Sequence, residues 1–116
     1  MGDGFMVAFS SARRAVLCAC GIQRAFAAYC EQHRDRPIRV RIGLHVGETI
    51  NESADFFGKA VILAARIAAL ARGGEILVSS TMRDLTTSAG DLRFVEAGET
   101  HLKGFAGTHR LYRAIW

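Results

Sequence analysis

Ile38-Arg39-Val40-Arg41-Ile42-Gly43-Leu44-His45-Val46-Gly47 carries the clearest structural period in the chain. Successive side chains of a strand point to opposite faces, so Ile38, Val40, Ile42, Leu44 and Val46 share one face. Arg39, Arg41, Gly43, His45 and Gly47 take the other. The alternation predicts a strand from Ile38 to about Ile50, with one face on a core and the other exposed or functional. Pro37 opens that strand and closes the helical region before it.

Upstream, Val16, Ala19, Ile22, Phe26 and Tyr29 recur at three- and four-residue intervals. They predict a helix from about Ala12 to His33 with a single buried stripe. Arg13, Arg14, Gln23, Arg24, Glu31 and Gln32 fall mostly off it, and Ser10 and Ser11 can cap its start. Gly4 to Phe9 reads as a short apolar strand following a tight turn, Gly2-Asp3-Gly4. A hairpin turn needs strands on both sides and only Met1 precedes this one, so the expectation is that the first strand is missing.

Downstream, residues 51–55 form a polar loop. Phe56 to Ala71 predicts a second helix, apolar on nearly all sides, that must be covered by more than its own sheet. Arg72-Gly73-Gly74 ends it. Glu75 to Ser79 reads as a buried strand, and Ser79 and Ser80 cap a short helix through Leu85. Leu92 to Val95 and Leu111 to Ile115 read as the last strands, joined by a stretch carrying His101, Lys103, Gly104 and Gly107. This order predicts an α+β sandwich, a mainly antiparallel sheet with helices on one face.

The chain has 116 residues, is 50% hydrophobic and 22% charged, and carries a net charge of +4. That suits one domain with a real core. No apolar run approaches the roughly 20 residues of a membrane-spanning helix, and the N-terminal pattern is the reverse of a secretory signal. Cys18, Cys20 and Cys30 match no zinc spacing. They read as reduced, mostly buried thiols of a cytoplasmic protein. The arginine-rich surplus permits a polyanionic ligand, but paired surface aromatics of an RNA-binding domain are not apparent.

Five segments in order resemble the catalytic domain of class III adenylyl/guanylyl cyclases. Gly2-Asp3-Gly4-Phe5-Met6-Val7-Ala8-Phe9 is similar to the family's metal-binding hairpin, and Arg41-Ile42-Gly43-Leu44-His45-Val46-Gly47-Glu48 to its next strand. The run from Asp55 to Ile67, Asp-Phe-Phe-Gly-Lys-Ala-Val-Ile-Leu-Ala-Ala-Arg-Ile, resembles the segment of base recognition and transition-state groups. Gly74-Glu75-Ile76-Leu77-Val78-Ser79 and Leu102-Lys103-Gly104-Phe105 follow. The resemblance implies a ferredoxin-like sandwich of the class III nucleotidyl cyclase type over residues 1–116, incomplete at its N-terminus and lacking the family's first strand and helices.

It also implies an activity: ATP to 3′,5′-cyclic AMP and pyrophosphate, through in-line attack of the ribose 3′-hydroxyl on the α-phosphorus, in cyclic-nucleotide signalling. Two Mg²⁺ or Mn²⁺ ions normally assist, and Asp3 matches one of the two aspartates that hold them. Asp55 matches the acceptor for the purine's exocyclic amine, which favours ATP, although a helix cap is also open to it. Arg66 matches the arginine that stabilises charge at the α-phosphoryl, with a salt bridge at the core edge as its structural alternative. Lys103 matches the lysine of the terminal phosphates, and surface solvation is its alternative. The implied partners are ATP and a second copy in a head-to-tail homodimer, with no nucleic acid and no membrane.

The sequence departs from the family in three respects. Ile62 stands where the family has an asparagine that orients the ribose, and an alkyl chain cannot hydrogen-bond. The family's purine-contacting lysine has no counterpart, nor do the other metal aspartate and the phosphate-cradling amides. The missing strand is central in the family's sheet, so its loss is expected to expose Ile42 and its neighbours. This chain alone is therefore expected to be weak or inactive. The alternative is a catalytically silent dimerisation or interaction module derived from a cyclase.

Overall fold

Ser11 starts the first helix, α1 (Ala12–Gln32), by accepting the Arg14 amide on its hydroxyl at 3.3 Å, the ordinary way to satisfy an orphan donor of a first turn. The computed structural model describes residues 4, 7, 9, 11–47, 54–88 and 90–116, the side chains of 54–57 excepted. The strand expected over Gly4 to Phe9 lies largely outside them, as does Asp3. After α1 come β1 (Ile42–Leu44), α2 (Ala54–Leu70), β2 (Ile76–Ser79), α3 (Ser80–Thr87), β3 (Phe94–His101) and β4 (Thr108–Ala114).

The four strands form one sheet in the order β1-β2-β4-β3. β1 runs parallel to β2 with Ile42 opposite Ile76. β4 is antiparallel to both β2 and β3, with Leu77 opposite Arg113 and Phe94 opposite Ala114. The register of β3 and β4 shifts between Glu96 and Gly98. Gly98 sits there at φ 112°, a conformation that L side chains rarely adopt. The α+β class and the mainly antiparallel sheet agree with the sequence reading.

The helices, however, are not all on one face. Ala15, Val16, Ala19 and Cys20 of α1 pack with Met82 of α3 on Ile76, Val78 and Ala114. Leu63 and Ile67 of α2, with Ala71 just beyond it, pack with Leu77, Leu102 and Leu111. Ile76 and Val78 alternate with Leu77, so β2 feeds both clusters and is buried on both faces. The reason α2 settles on the second face lies in β1. A Cβ placed on Gly43 would lie 2.3 Å from the Ala68 nitrogen and 2.7 Å from the Ala64 oxygen. Only the absent side chain lets the α2 backbone come so close.

Three further differences from the sequence reading have local causes. The buried stripe of α1 is rotated, so that Gln23 is 2% exposed while Ile22 is 38% exposed. Gln23 is accommodated because its Nε2 donates to Val40 O at 2.9 Å and Glu75 O at 3.2 Å, which removes the cost of burying an amide. Regular pairing of β1 is confined to Ile42–Leu44, although Ile42, Leu44 and Val46 do share the core face as the alternation requires. Of the cysteines, Cys20 is buried, Cys30 is half-buried and Cys18 is exposed. No described helix is long and apolar enough to cross a membrane.

Candidate functional site

The outer face of α2 and the loop between β3 and β4 hold three of the residues singled out in the sequence. Leu63 and Ile67 turn inward, so the neighbouring positions Ile62 and Arg66 turn outward. Ile62 is 48% exposed. It precedes Arg66 by four residues, one turn of the same helical face. Arg66 is exposed, and no described carboxylate pairs with it. Its guanidinium is thus exposed, and the salt bridge offered as its alternative is not formed among the described residues.

Lys103 lies in the tight turn after β3 and is also exposed. Flanking residues anchor its loop: Leu102 is 4% exposed within the α2 cluster, and Phe105 packs against that cluster. The loop is thus docked on the face of the sheet that α2 covers. Residue 55 is in the first turn of α2, eleven positions or about 16 Å before Arg66 on nearly the same azimuth. The Asp55 side chain and the whole of Asp3 lie outside the described residues.

The sheet also holds a polar group that the sequence reading did not single out. His45 Nδ1 lies 2.9 Å from Ser79 Oγ, and the same oxygen accepts the Met82 amide at 3.2 Å to cap α3. Ser79 has one proton, and donating it to His45 Nδ1 leaves the imidazole proton on Nε2. Burial first, and the nearby His109 second, hold the His45 pKa below its ordinary value. His109 meets Phe105 edge-on, with ring centroids 6.4 Å apart. Its buried Nε2 has no hydrogen-bond partner among the described residues. The alternation of residues 38–47 places His45 with Gly43 on the α2 face, which was the one available signal.

Hard divalent cations select carboxylate oxygens. Among the described residues, no three His, Cys, Asp or Glu side chains form a group that could hold one. The Asp91 carboxylate is held by Arg13, which keeps its pKa below the usual range. Asp84 bonds Arg83, Glu75 lies near Arg113, and Glu96 and Glu99 flank Arg110. The described residues therefore do not build a two-ion site.

Residues 1–114 match the family described as the adenylate and guanylate cyclase catalytic domain. A Rhizobium meliloti (strain 1021) protein named "Putative adenylate cyclase 3" is 39% identical over 103 residues, 88% of this chain and 18% of that protein. "Uncharacterized protein Rv0891c" of Mycobacterium tuberculosis (strain ATCC 25618 / H37Rv) is 36% identical over 105 residues, 89% of this chain and 34% of that protein. The chain thus spans about a fifth to a third of these relatives' length. Among solved structures, an adenylate/guanylate cyclase/hydrolase from Silicibacter pomeroyi superposes with a TM-score of 0.79 at 31% identity, over 92% of this chain and 63% of that one. The adenylyl cyclase CyaB from P. aeruginosa shares the fold, with a TM-score of 0.69 at 22% identity over 90% of this chain and 58% of that one.

Proposed function

Because the chain belongs to the adenylate and guanylate cyclase catalytic domain family, we propose that residues 1–116 act as a nucleotidyl cyclase domain working on ATP. In that reaction the ribose O3′ loses its proton and bonds to the α-phosphorus, the bond from that phosphorus to the bridging oxygen breaks, and pyrophosphate leaves. Arg66 supplies donors where charge builds on the α-phosphoryl group. Lys103 holds the terminal phosphates, and Asp55 accepts from the adenine amine. The observation that carries this reading is the docking of the Lys103 loop, through Leu102, into the cluster of Leu63 and Ile67. That packing sets the Lys103 loop beside the helix that carries Arg66, in keeping with one triphosphate contacting both.

Mg²⁺ or Mn²⁺ would neutralise the leaving pyrophosphate, with Asp3 as one ligand. One carboxylate is too few for two ions, so full activity requires a second from a further segment or another polypeptide. The working unit is a head-to-tail homodimer, and its location is the cytoplasm, in keeping with three free cysteines. Incubated with Mn²⁺ and ATP, this chain should form cyclic AMP barely above background. ATP should nonetheless bind, and Arg66→Ala or Lys103→Ala should weaken that binding. Robust turnover abolished by Asp3→Ala would overturn the two-carboxylate requirement, and loss of ATP binding altogether would overturn the site.

The exposed alkyl side chain of Ile62 favours a second reading, a catalytically silent module that keeps dimerisation. Ile62→Asn separates the two. In a longer form that restores a second metal carboxylate, the substitution should raise turnover if the domain is an enzyme. It should change nothing in a silent module.

A further inference from the structure

The starts of the parallel strands β1 and β2 and the finish of antiparallel β4 lie at one end of the sheet. The chain reaches that end through residues 34–41, 72–75, 90–93 and 113–116, the third of these leading into β3, whose Phe94 pairs with Ala114. These segments hold seven arginines and three acids, Asp35, Glu75 and Asp91, a surplus of four that equals the net charge of the whole chain. The remaining residues are therefore balanced, and the basic character of the protein belongs to this end.

Contacts draw part of this set around one turn. Arg39 lies over Gly73, its Cβ 2.7 Å from where a Cβ on that glycine would sit. Glu75 accepts the Arg72 amide at 2.8 Å and lies 3.7 Å from Arg113, so its charge is already engaged. Trp116 Nε1 donates to Gly74 O at 2.8 Å, which satisfies the indole's one donor and leaves the ring 40% exposed. Ile115, its neighbour in the chain, and Ile38, in the segment leading to β1, are 45% and 43% exposed.

We propose that this end of the domain docks on an anionic lipid surface. Arginines attract acidic headgroups, while an exposed indole and aliphatic side chains enter the interfacial layer. Single-stranded nucleic acid is gripped by several open aromatic faces. Here the aromatic element is one indole, and the nearby Tyr29 and His33 rings are stacked on each other with centroids 4.1 Å apart. The Lys103 loop joins β3 to β4 at the opposite end of the sheet, so docking leaves it turned away from the lipid. Docking of this kind needs no spanning helix, and it replaces the expectation of no membrane partner.

Trp116 is the only tryptophan and so reports the contact directly. The 116-residue chain is mixed with phosphatidylcholine vesicles with and without phosphatidylserine, at low and high salt, and followed by tryptophan emission and co-sedimentation. The expected result is a blue shift and partitioning with the phosphatidylserine vesicles alone, lost at high salt. Arg39→Ala and Arg72→Ala should each weaken partitioning about fivefold. Both keep a Cβ, and circular dichroism confirms their fold. No shift with acidic vesicles at low salt, equal partitioning into neutral ones, or unchanged binding in both variants overturns the proposal. Binding to single-stranded RNA without binding to vesicles overturns it as well. None of these readouts depends on cyclase activity.

Discussion

Replacing Gly43 with alanine places a methyl group inside the backbone of α2. Its nearest neighbours would be the Ala68 nitrogen at 2.3 Å, the Ala68 Cα at 2.6 Å and the Ala64 oxygen at 2.7 Å. None is the end of a flexible side chain, so relief requires moving the helix about 1 Å off β1, to reach the ~3.5 Å of an ordinary contact. Inserting a methyl into a packed core typically costs about 1–3 kcal/mol, and a rigid helix puts this site at the upper end. For a domain of this size, ~3 kcal/mol lowers the melting temperature by about 10–15 °C. Urea unfolding and thermal melting of Gly43→Ala measure the loss. Gly21→Ala is the control, because a Cβ there meets nothing within 4 Å. In mid-helix that exchange should stabilise by about 0.5–1 kcal/mol. A Gly43→Ala melting point within about 2 °C of the parent would refute the claim that close approach fixes α2.

Gln23→Leu removes two hydrogen bonds to carbonyls that also accept Gly74 N and Ile42 N; it should cost only about 1–2 kcal/mol in urea unfolding, because neither acceptor is left unpaired. Ser79→Ala removes both the α3 cap and the His45 partner and should cost about 1–2 kcal/mol by the same assay. The His45 pKa is lowered in the fold, so its contribution is complete above the unfolded value of about 6.5 and is lost as pH falls through the folded value. Melting temperatures compared between pH 7.5 and 5 should therefore fall more in the parent than in His45→Gln.

Several elements were legible because one physical signal dominated each. Ser11 and Ser79 announced the starts of α1 and α3, and the Ile42-Leu44-Val46 alternation announced the core face of β1. Sequence also singled out Ile62, Arg66 and Lys103, but not the packing of Leu102 on Leu63 and Ile67 that sets the Lys103 loop against α2. Other features were hidden for equally specific reasons. Gln23 reads as a surface residue until the carbonyls of Val40 and Glu75 arrive from distant segments. Gly43 gives no hint of the helix that will rest on it, and so the two-sided covering of the sheet was missed. His45 and His109 are 64 residues apart and meet only through the register of β2 and β4.

ATP titrated into the ¹⁵N-labelled chain tests the central claim most directly. Amide resonances of Ile62, Arg66 and Lys103 should move together with a single affinity, while those around Gly73 and Arg113 stay in place. Shifts confined to the arginine-rich end, or none on α2, would contradict it.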